Sequence, residues 1–203
     1  MDLRGFSDAA QMNEEMIARW NDRVRKKDEV VVLGDLSVGS AQETADILER
    51  LNGRIYMIRG NHDRFLDRKE YAEYFEKRFV WIRDYATMHD AGRTVILSHY
   101  PILCYNGQYR LDKKGRPRTY MLYGHVHDTV DEALVAAAEK RARHTLRQMA
   151  PEAEPAPIPC RLINCFCMYA DYAPQTLDTW IKITEERRYG GEVDRPGHGP
   201  DGA

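Results

Sequence analysis

Four short apolar runs in this chain stop abruptly at glycine or serine. Each stop is followed by side chains that can bind a cation or move a proton. Residues 29–33 lead into Gly34-Asp35, and residues 54–58 lead through Arg59 into Gly60-Asn61-His62-Asp63. Residues 94–98 end at Ser98 and His99 follows, while residues 120–123 run into Gly124-His125-Val126-His127. Runs this short and this continuously apolar read as strands covered on both faces. Helical periodicity fills the gaps between them, and that alternation predicts an α/β layered fold. In open α/β sheets the loops diverge at the carboxyl ends of strands and leave a crevice for ligands. The four polar stops all occupy such positions.

The remaining elements are read the same way. Residues 8–26 form the first helix, with Met12, Met16, Ile17, Trp20 and Val24 at helical spacing and Asp8 with Gln11 as a capping box. Ser40 and Glu43 make a second box, ahead of the stripe Ile47, Leu48 and Leu51, and Gly53 stops that helix. Residues 67–77 are helical with Tyr71, Tyr74 and Phe75 inward, and residues 79–85 form a strand. Asp90-Ala91-Gly92 is a turn before the strand of residues 94–98. Residues 110–118 form a basic loop. Residues 130–149 make a long alanine-rich helix, residues 151–159 a proline-rich linker and residues 161–169 a last strand. One domain is expected over residues 1–185, with 186–203 a disordered tail rich in glycine, proline and charge.

Composition narrows the function classes. Thirty basic against thirty-two acidic residues give a net charge of −2, which argues against coating nucleic acid or a membrane surface. The apolar runs are too short to span a bilayer and the start lacks a secretory pattern, so a cytoplasmic protein is expected. Four cysteines form no CxxC pair, and small buried side chains in a reduced compartment are the simplest reading.

Aspartate, asparagine and histidine together are oxygen and nitrogen donors without thiolate. Such a set suits Mn, Zn, Fe or similar divalent ions. Taken singly, each signal has an ordinary rival: Gly-Asp is usually a turn, Asn61 or Asp63 could cap a helix, and a lone His99 is more often a core histidine. Four of the seven histidines falling at these strand ends is what tips the reading toward a metal site.

The ordered set Gly34-Asp35-x-x-x-Gly39, Gly60-Asn61-His62-Asp63, Ser98-His99-Tyr100-Pro101 and Gly124-His125-Val126-His127 resembles the calcineurin-like metallophosphoesterases. Met12-Asn13-Glu14, Trp20-Asn21 and Tyr172-x-Pro174-x-x-Leu177 are similar to the small bacterial and phage members. The resemblance implies a four-layer α/β/β/α sandwich and a two-metal site that hydrolyses a phosphate ester, with a phosphodiester expected. It implies that Asp35 bridges both ions, that Asn61, His99 and His125 complete one shell, and that His127 binds the other ion. His62 would be the general acid, and Asp63 would orient the loop or His62. Nucleic acid enters only as a potential substrate, and a non-catalytic scaffold on the same fold is the alternative.

One part of the family pattern is missing. The family opens with a strand ending in Asp-x-His, and no Asp-x-His precedes Asp35 here. The first strand is therefore expected to lie upstream of Met1 in a longer chain; a one-metal or inactive variant is the rival account. As given, the chain supplies four donors to one ion and two to the other. Arg110, Lys113, Lys114, Arg116 and Arg118 are candidates to steer an anionic substrate, with Tyr100, Tyr105, Asn106 and Tyr109 at the same mouth. Leu134, Val135, Ala138, Ala142 and Leu146 are expected to be the core stripe of the long helix.

Overall fold

The structure, a computed structural model, describes residues 5–190. Helix α1 (Ala9–Arg23) is capped by Asp8, whose side chain accepts the Gln11 backbone N–H. Gln11 does not complete a box with Asp8, because its side-chain oxygen accepts from the backbone N–H and hydroxyl of Ser7. After β1 (Glu29–Val32), helix α2 (Ala41–Arg50) opens with the expected box, in which Ser40 and Glu43 each satisfy the other's backbone N–H. Then come β2 (Arg54–Ile58), α3 (Ala72–Arg78) and β3 (Phe79–Arg83). The segment before α3 is two 3-10 turns, Arg64–Asp67 and Lys69–Tyr71, so the helix starts later than its periodicity suggests. Strands β1, β2 and β3 form a parallel sheet in that order, which leaves β1 at an edge.

The chain crosses to a second sheet at Asp84, which splits the expected strand of residues 79–85. Strand β4 (Tyr85–Asp90) pairs antiparallel with β5 (Arg93–Ser98) through a two-residue turn in which Ala91 and Gly92 have φ of 46° and 79°. Positive φ at both positions matches the twist of a tight hairpin. Strand β6 (Thr119–Tyr123) lies parallel to β5. Beyond α4 (Val130–Arg143), β7 (Leu146–Arg147) and β8 (Ala156–Pro157) form a small hairpin. Strand β9 (Leu162–Asn164) completes the second sheet in the order β4-β5-β6-β9, and α5 (Leu177–Tyr189) ends the described chain.

Strand alternation builds the layers. Ile55 and Met57 are fully buried against Leu48 of α2 and Phe75 of α3. Ile58, on the opposite face of β2, meets Val95, Leu97 and Leu122 between the sheets, where Leu177 and Trp180 of α5 also pack. The far face of the second sheet, Ile96, Met121, Tyr123 and Leu162, packs on Val135 and Ala142 of α4. Helix, sheet, sheet and helix are thus stacked as an α/β/β/α sandwich. Fully burying a core side chain of this size contributes about 1.5–3 kcal/mol.

Four expectations need correction. Helix α4 ends at Arg143, and the stretch expected to be a proline-rich linker carries β8, which pairs with β7. The predicted apolar stripe of α4 faces the core only in part: Val135 and Ala142 pack inward, whereas Leu134 and Leu146 are each 64% exposed, Leu146 lies beyond the helix, and Glu132 and Glu139 are buried. The last strand is three residues long and gives way to a 3-10 turn at Cys167–Ala170. Residues 186–189, placed in the tail by composition, belong to α5, and residues 191–203 lie outside the described residues. Among the described residues no helix is long and apolar enough to cross a membrane.

Candidate metal centre

The carboxyl ends of β1, β2, β5 and β6 meet at one point. Beyond β1 the chain turns through Gly34 and Asp35, with φ of 88° and 55°. Side-chain-bearing residues rarely hold positive φ, and each such residue costs about 1–3 kcal/mol unless its surroundings impose it. His125 and His127 share that conformation, at 62° and 50°. Three of the five predicted ligands therefore sit on strained backbone. The glycines give the room that this packing needs. A Cβ on Gly34 would lie 2.4 Å from His99 Nδ1, and one on Gly60 would lie 2.3 Å from Asp35 Oδ1.

Asp63 holds two of these turns together. Its carboxylate, 1% exposed, accepts the backbone N–H groups of Asp35, Leu36 and Gly60 at 2.8, 2.8 and 2.7 Å. Burial pushes its carboxyl above the usual range, and the three N–H bonds pull it part of the way back. Asp63 thus orients the loop, one of the two roles left open by the sequence. The His62 backbone N–H donates to Asp35 Oδ1 at 2.8 Å, which fixes the carboxylate, and His62 itself is exposed.

His99 is the buried centre of the cluster, 1% exposed. Its Nδ1 lies 2.7 Å from the Leu33 carbonyl oxygen. A carbonyl can only accept, so Nδ1 carries a proton and donates it there, which turns the Nε2 edge of the ring inward. That Nε2 is 3.0 Å from Asn61 Oδ1, 3.2 Å from His125 Nδ1 and 3.4 Å from Asp35 Oδ2. Ligand atoms of Asp35, His99 and His125 all lie within 4.8 Å of one another. Donors bound at 2.0–2.2 Å in a tetrahedron stand about 3.3–3.6 Å apart, close to the spacing seen here. The residues present therefore fit a divalent ion, in their chemistry and in their spacing.

His127 does not belong to that group. Its ring stacks on Phe166, with centroids 4.8 Å apart and planes 20° from parallel, and its carbonyl accepts from Asn164 Nδ2 at 2.8 Å. Tyr100 reaches the mouth, its ring centroid 4.5 Å from that of His125. Tyr105 does not: it is buried against the backbone of Arg161, at the start of β9. The basic loop is also elsewhere. Arg118 precedes Thr119 and donates to the Gly92 carbonyl, at the end of β5 and β6 opposite His99 and His125. Steering by that loop would act across the whole sheet. The Leu33 carbonyl and Phe166 were missed by sequence reasoning, the first because a backbone group has no side-chain signature.

The fold and the donor cluster together define an α/β/β/α protein in which Asp35, His99 and His125 are grouped so that they could hold a divalent ion. The chain belongs to the calcineurin-like phosphoesterase superfamily, whose domain matches residues 1–142. It is 43% identical over 83 residues to the uncharacterized protein MJ1445 of Methanocaldococcus jannaschii, covering 40% of this chain and 47% of that one. It is 30% identical over 129 residues to the gene 66 protein of Mycobacterium phage D29, covering 55% and 63%. The chain thus spans about half to two thirds of the length of the curated relatives it matches. The crystal structure of AQ665 from Aquifex aeolicus, a protein of unknown function, shares the fold at a TM-score of 0.56 and 19% identity, over 90% of each chain. The superfamily hydrolyses phosphoesters with divalent metals.

Proposed function

We propose that this protein hydrolyses a phosphate ester, foremost a phosphodiester, with Asp35, Asn61, His99 and His125 holding a divalent ion. The observation that supports this reading best is the His99 ring, aimed by the Leu33 carbonyl so that its Nε2 meets Asn61 Oδ1, His125 Nδ1 and Asp35 Oδ2. These oxygen and nitrogen atoms, without thiolate, are the donor set a divalent ion of this class takes. Mn, Zn and Fe all suit the set.

When bound, such an ion lowers the pKa of water and polarises phosphoryl oxygens. The chain's own residues do the rest. Asp35 is aimed because the His62 N–H fixes one oxygen. The exposed His62, whose backbone N–H holds Asp35, donates a ring proton to the departing oxygen, a role worth about 10²–10⁴-fold. His127, on the same turn as His125, would join Asp35 in holding a second ion. A cytoplasmic location and a phosphate-ester substrate complete the proposal.

Hydrolysis of bis(p-nitrophenyl) phosphate with Mn supplied tests it, alongside metal content. Asp35→Asn and His125→Ala should each abolish turnover and lower the metal retained per chain. Unchanged turnover in both variants would overturn the reading.

A further inference from the structure

Four of the five most exposed large apolar side chains among the described residues fall within residues 130–149: Val130 at 73%, Leu134 and Leu146 at 64% and Met149 at 57%. Exposed apolar side chains scattered singly need no explanation, whereas a contiguous outward row marks a contact surface. Helix α4 carries such a row. Val130, Leu134, Ala137 and Arg141 are all exposed and are spaced by four, three and four residues. At 3.6 residues per turn they fall within about 60° of arc, along about 16 Å of helix. This is the seam spacing with which one helix packs on another. The opposite side of α4 is already occupied, where Glu132 and Glu139 meet Arg188 of α5. Ala133 is exposed beside the seam, and its small side chain lets a second helix come close.

The charges on α4 select its partner. Asp131 stands next to Val130 at the start of the helix, and Arg141 closes the seam near its end. Both are exposed, and neither side chain forms an ion pair among the described residues. A second α4 laid antiparallel, with the two-fold axis between Leu134 and Ala137, sets each Leu134 against Ala137 of the other copy. The same register brings each Arg141 to Val130 and Asp131 of the other copy. Large side chains then meet small ones at the centre, and opposite charges meet at both ends. A parallel copy would set like charges together at both ends. The antiparallel contact is isologous, the same patch on both chains, which is the commonest way for a soluble protein to pair.

We propose that the outer face of α4 pairs antiparallel with α4 of a second copy of this chain, with Leu134 at its centre and Asp131 against Arg141 at its ends. Two helices of this length bury less than a standard interface, so the dimer is weak and builds up with concentration. None of the proposed metal ligands lies on α4, so pairing and hydrolysis are separate properties.

Sedimentation velocity of the full chain from about 1 to about 200 μM tests the pairing. Wild type should move from monomer towards dimer across that range. Leu134→Glu should stay monomeric throughout. Its side chain is largely exposed, so the variant should fold as wild type does, which circular dichroism checks. Asp131→Arg and Arg141→Asp each place like charges at both ends of the seam and should weaken the dimer about tenfold. An equimolar mixture of these two variants should recover it, because opposite charges then meet again. Wild type that is monomeric at every concentration would overturn the proposal. So would a dimer that Leu134→Glu leaves intact, or a mixture no tighter than its components. Wild type that is monomeric in solution but held by anionic lipid vesicles, with Leu134→Glu released, would mark a membrane-facing surface instead and would equally overturn it.

Discussion

His99 Nδ1 lies 2.7 Å from the carbonyl oxygen of Leu33, the residue that leads β1 into Gly34 and Asp35. One hydrogen bond thus ties the second sheet to the first at the point where their ligands meet. It also decides which ring edge faces the donor cluster. His99→Gln removes the ring that spans Leu33 and the donor cluster. Metal retained after dialysis should fall at least about tenfold, and the buried site should lose about 1–3 kcal/mol of stability. Metal analysis and urea unfolding check the two halves separately. Retention equal to wild type would mean that His99 is a core histidine only.

Gly60→Ala places a methyl group 2.3 Å from Asp35 Oδ1 and 2.4 Å from the Asp35 backbone nitrogen. Neither neighbour can yield, because Asp63 and the His62 N–H hold that turn. The expected outcome is a loss of about 2–4 kcal/mol together with the metal site, from one added carbon. Gly92→Ala is the control, since its Cβ would meet nothing within 4 Å and only φ strain of about 1 kcal/mol is added. Circular dichroism melts of the two variants should separate clearly.

The strand ends were readable because each combines two signals that seldom coincide: an apolar run that must be buried and a glycine followed by a ligand type. Helix α2 was readable from Ser40 and Glu43, whose chemistry is local. What failed was non-local. Helix α4 reads as amphipathic through Leu134 and Leu146, yet its inward positions include Glu132 and Glu139, because Arg188 waits for them on α5. No pattern within α4 carries that information, since the partner lies 49 residues beyond Glu139. Likewise, the basic loop follows the His99 motif in sequence but must return to the start of β6. That return takes it to the opposite end of the sheet.

His62 separates proton donation from metal binding. His62→Ala keeps the backbone N–H that Asp35 accepts, so metal content should stay close to wild type. Turnover of diesters with poor leaving groups should fall by about 10²–10⁴-fold, and far less for p-nitrophenyl esters, which depart without a proton. A uniform loss across leaving groups would assign His62 to substrate positioning instead.

Cysteine chemistry offers a check on the second sheet. Cys104 is exposed, whereas Cys160 is fully buried, and burial beside Glu139 pushes its thiol up to about 11. Iodoacetamide at pH 8 should modify Cys104 well before Cys160, because the thiolate is the nucleophile and must be accessible. Peptide mapping after a short exposure reads the order. Early modification of Cys160 would mean that β9 and its approach open far more readily than their packing implies.

The cluster around Arg188 makes the last prediction. Its guanidinium contacts Glu139, Glu132 at 2.6 Å, the Tyr123 hydroxyl at 2.7 Å and the Leu162 carbonyl at 2.7 Å. Glu132 and Glu139 are 5% and 1% exposed, so removing the cation leaves two carboxylates in a poorly solvated space. Breaking a buried ion pair from one side costs about 3–5 kcal/mol, mostly the penalty of the charge left behind. Arg188→Met should therefore lower unfolding stability by that amount. Converting the carboxylates in the same chain, as Arg188→Met with Glu132→Gln and Glu139→Gln, should recover a large part of it. The amides still accept from Asn164 Nδ2 and the Leu162 N–H, the two bonds these side chains make to β9. Urea unfolding of the single, double and triple variants gives the coupling directly. Losses that simply add would show that Arg188 acts by packing and not by charge.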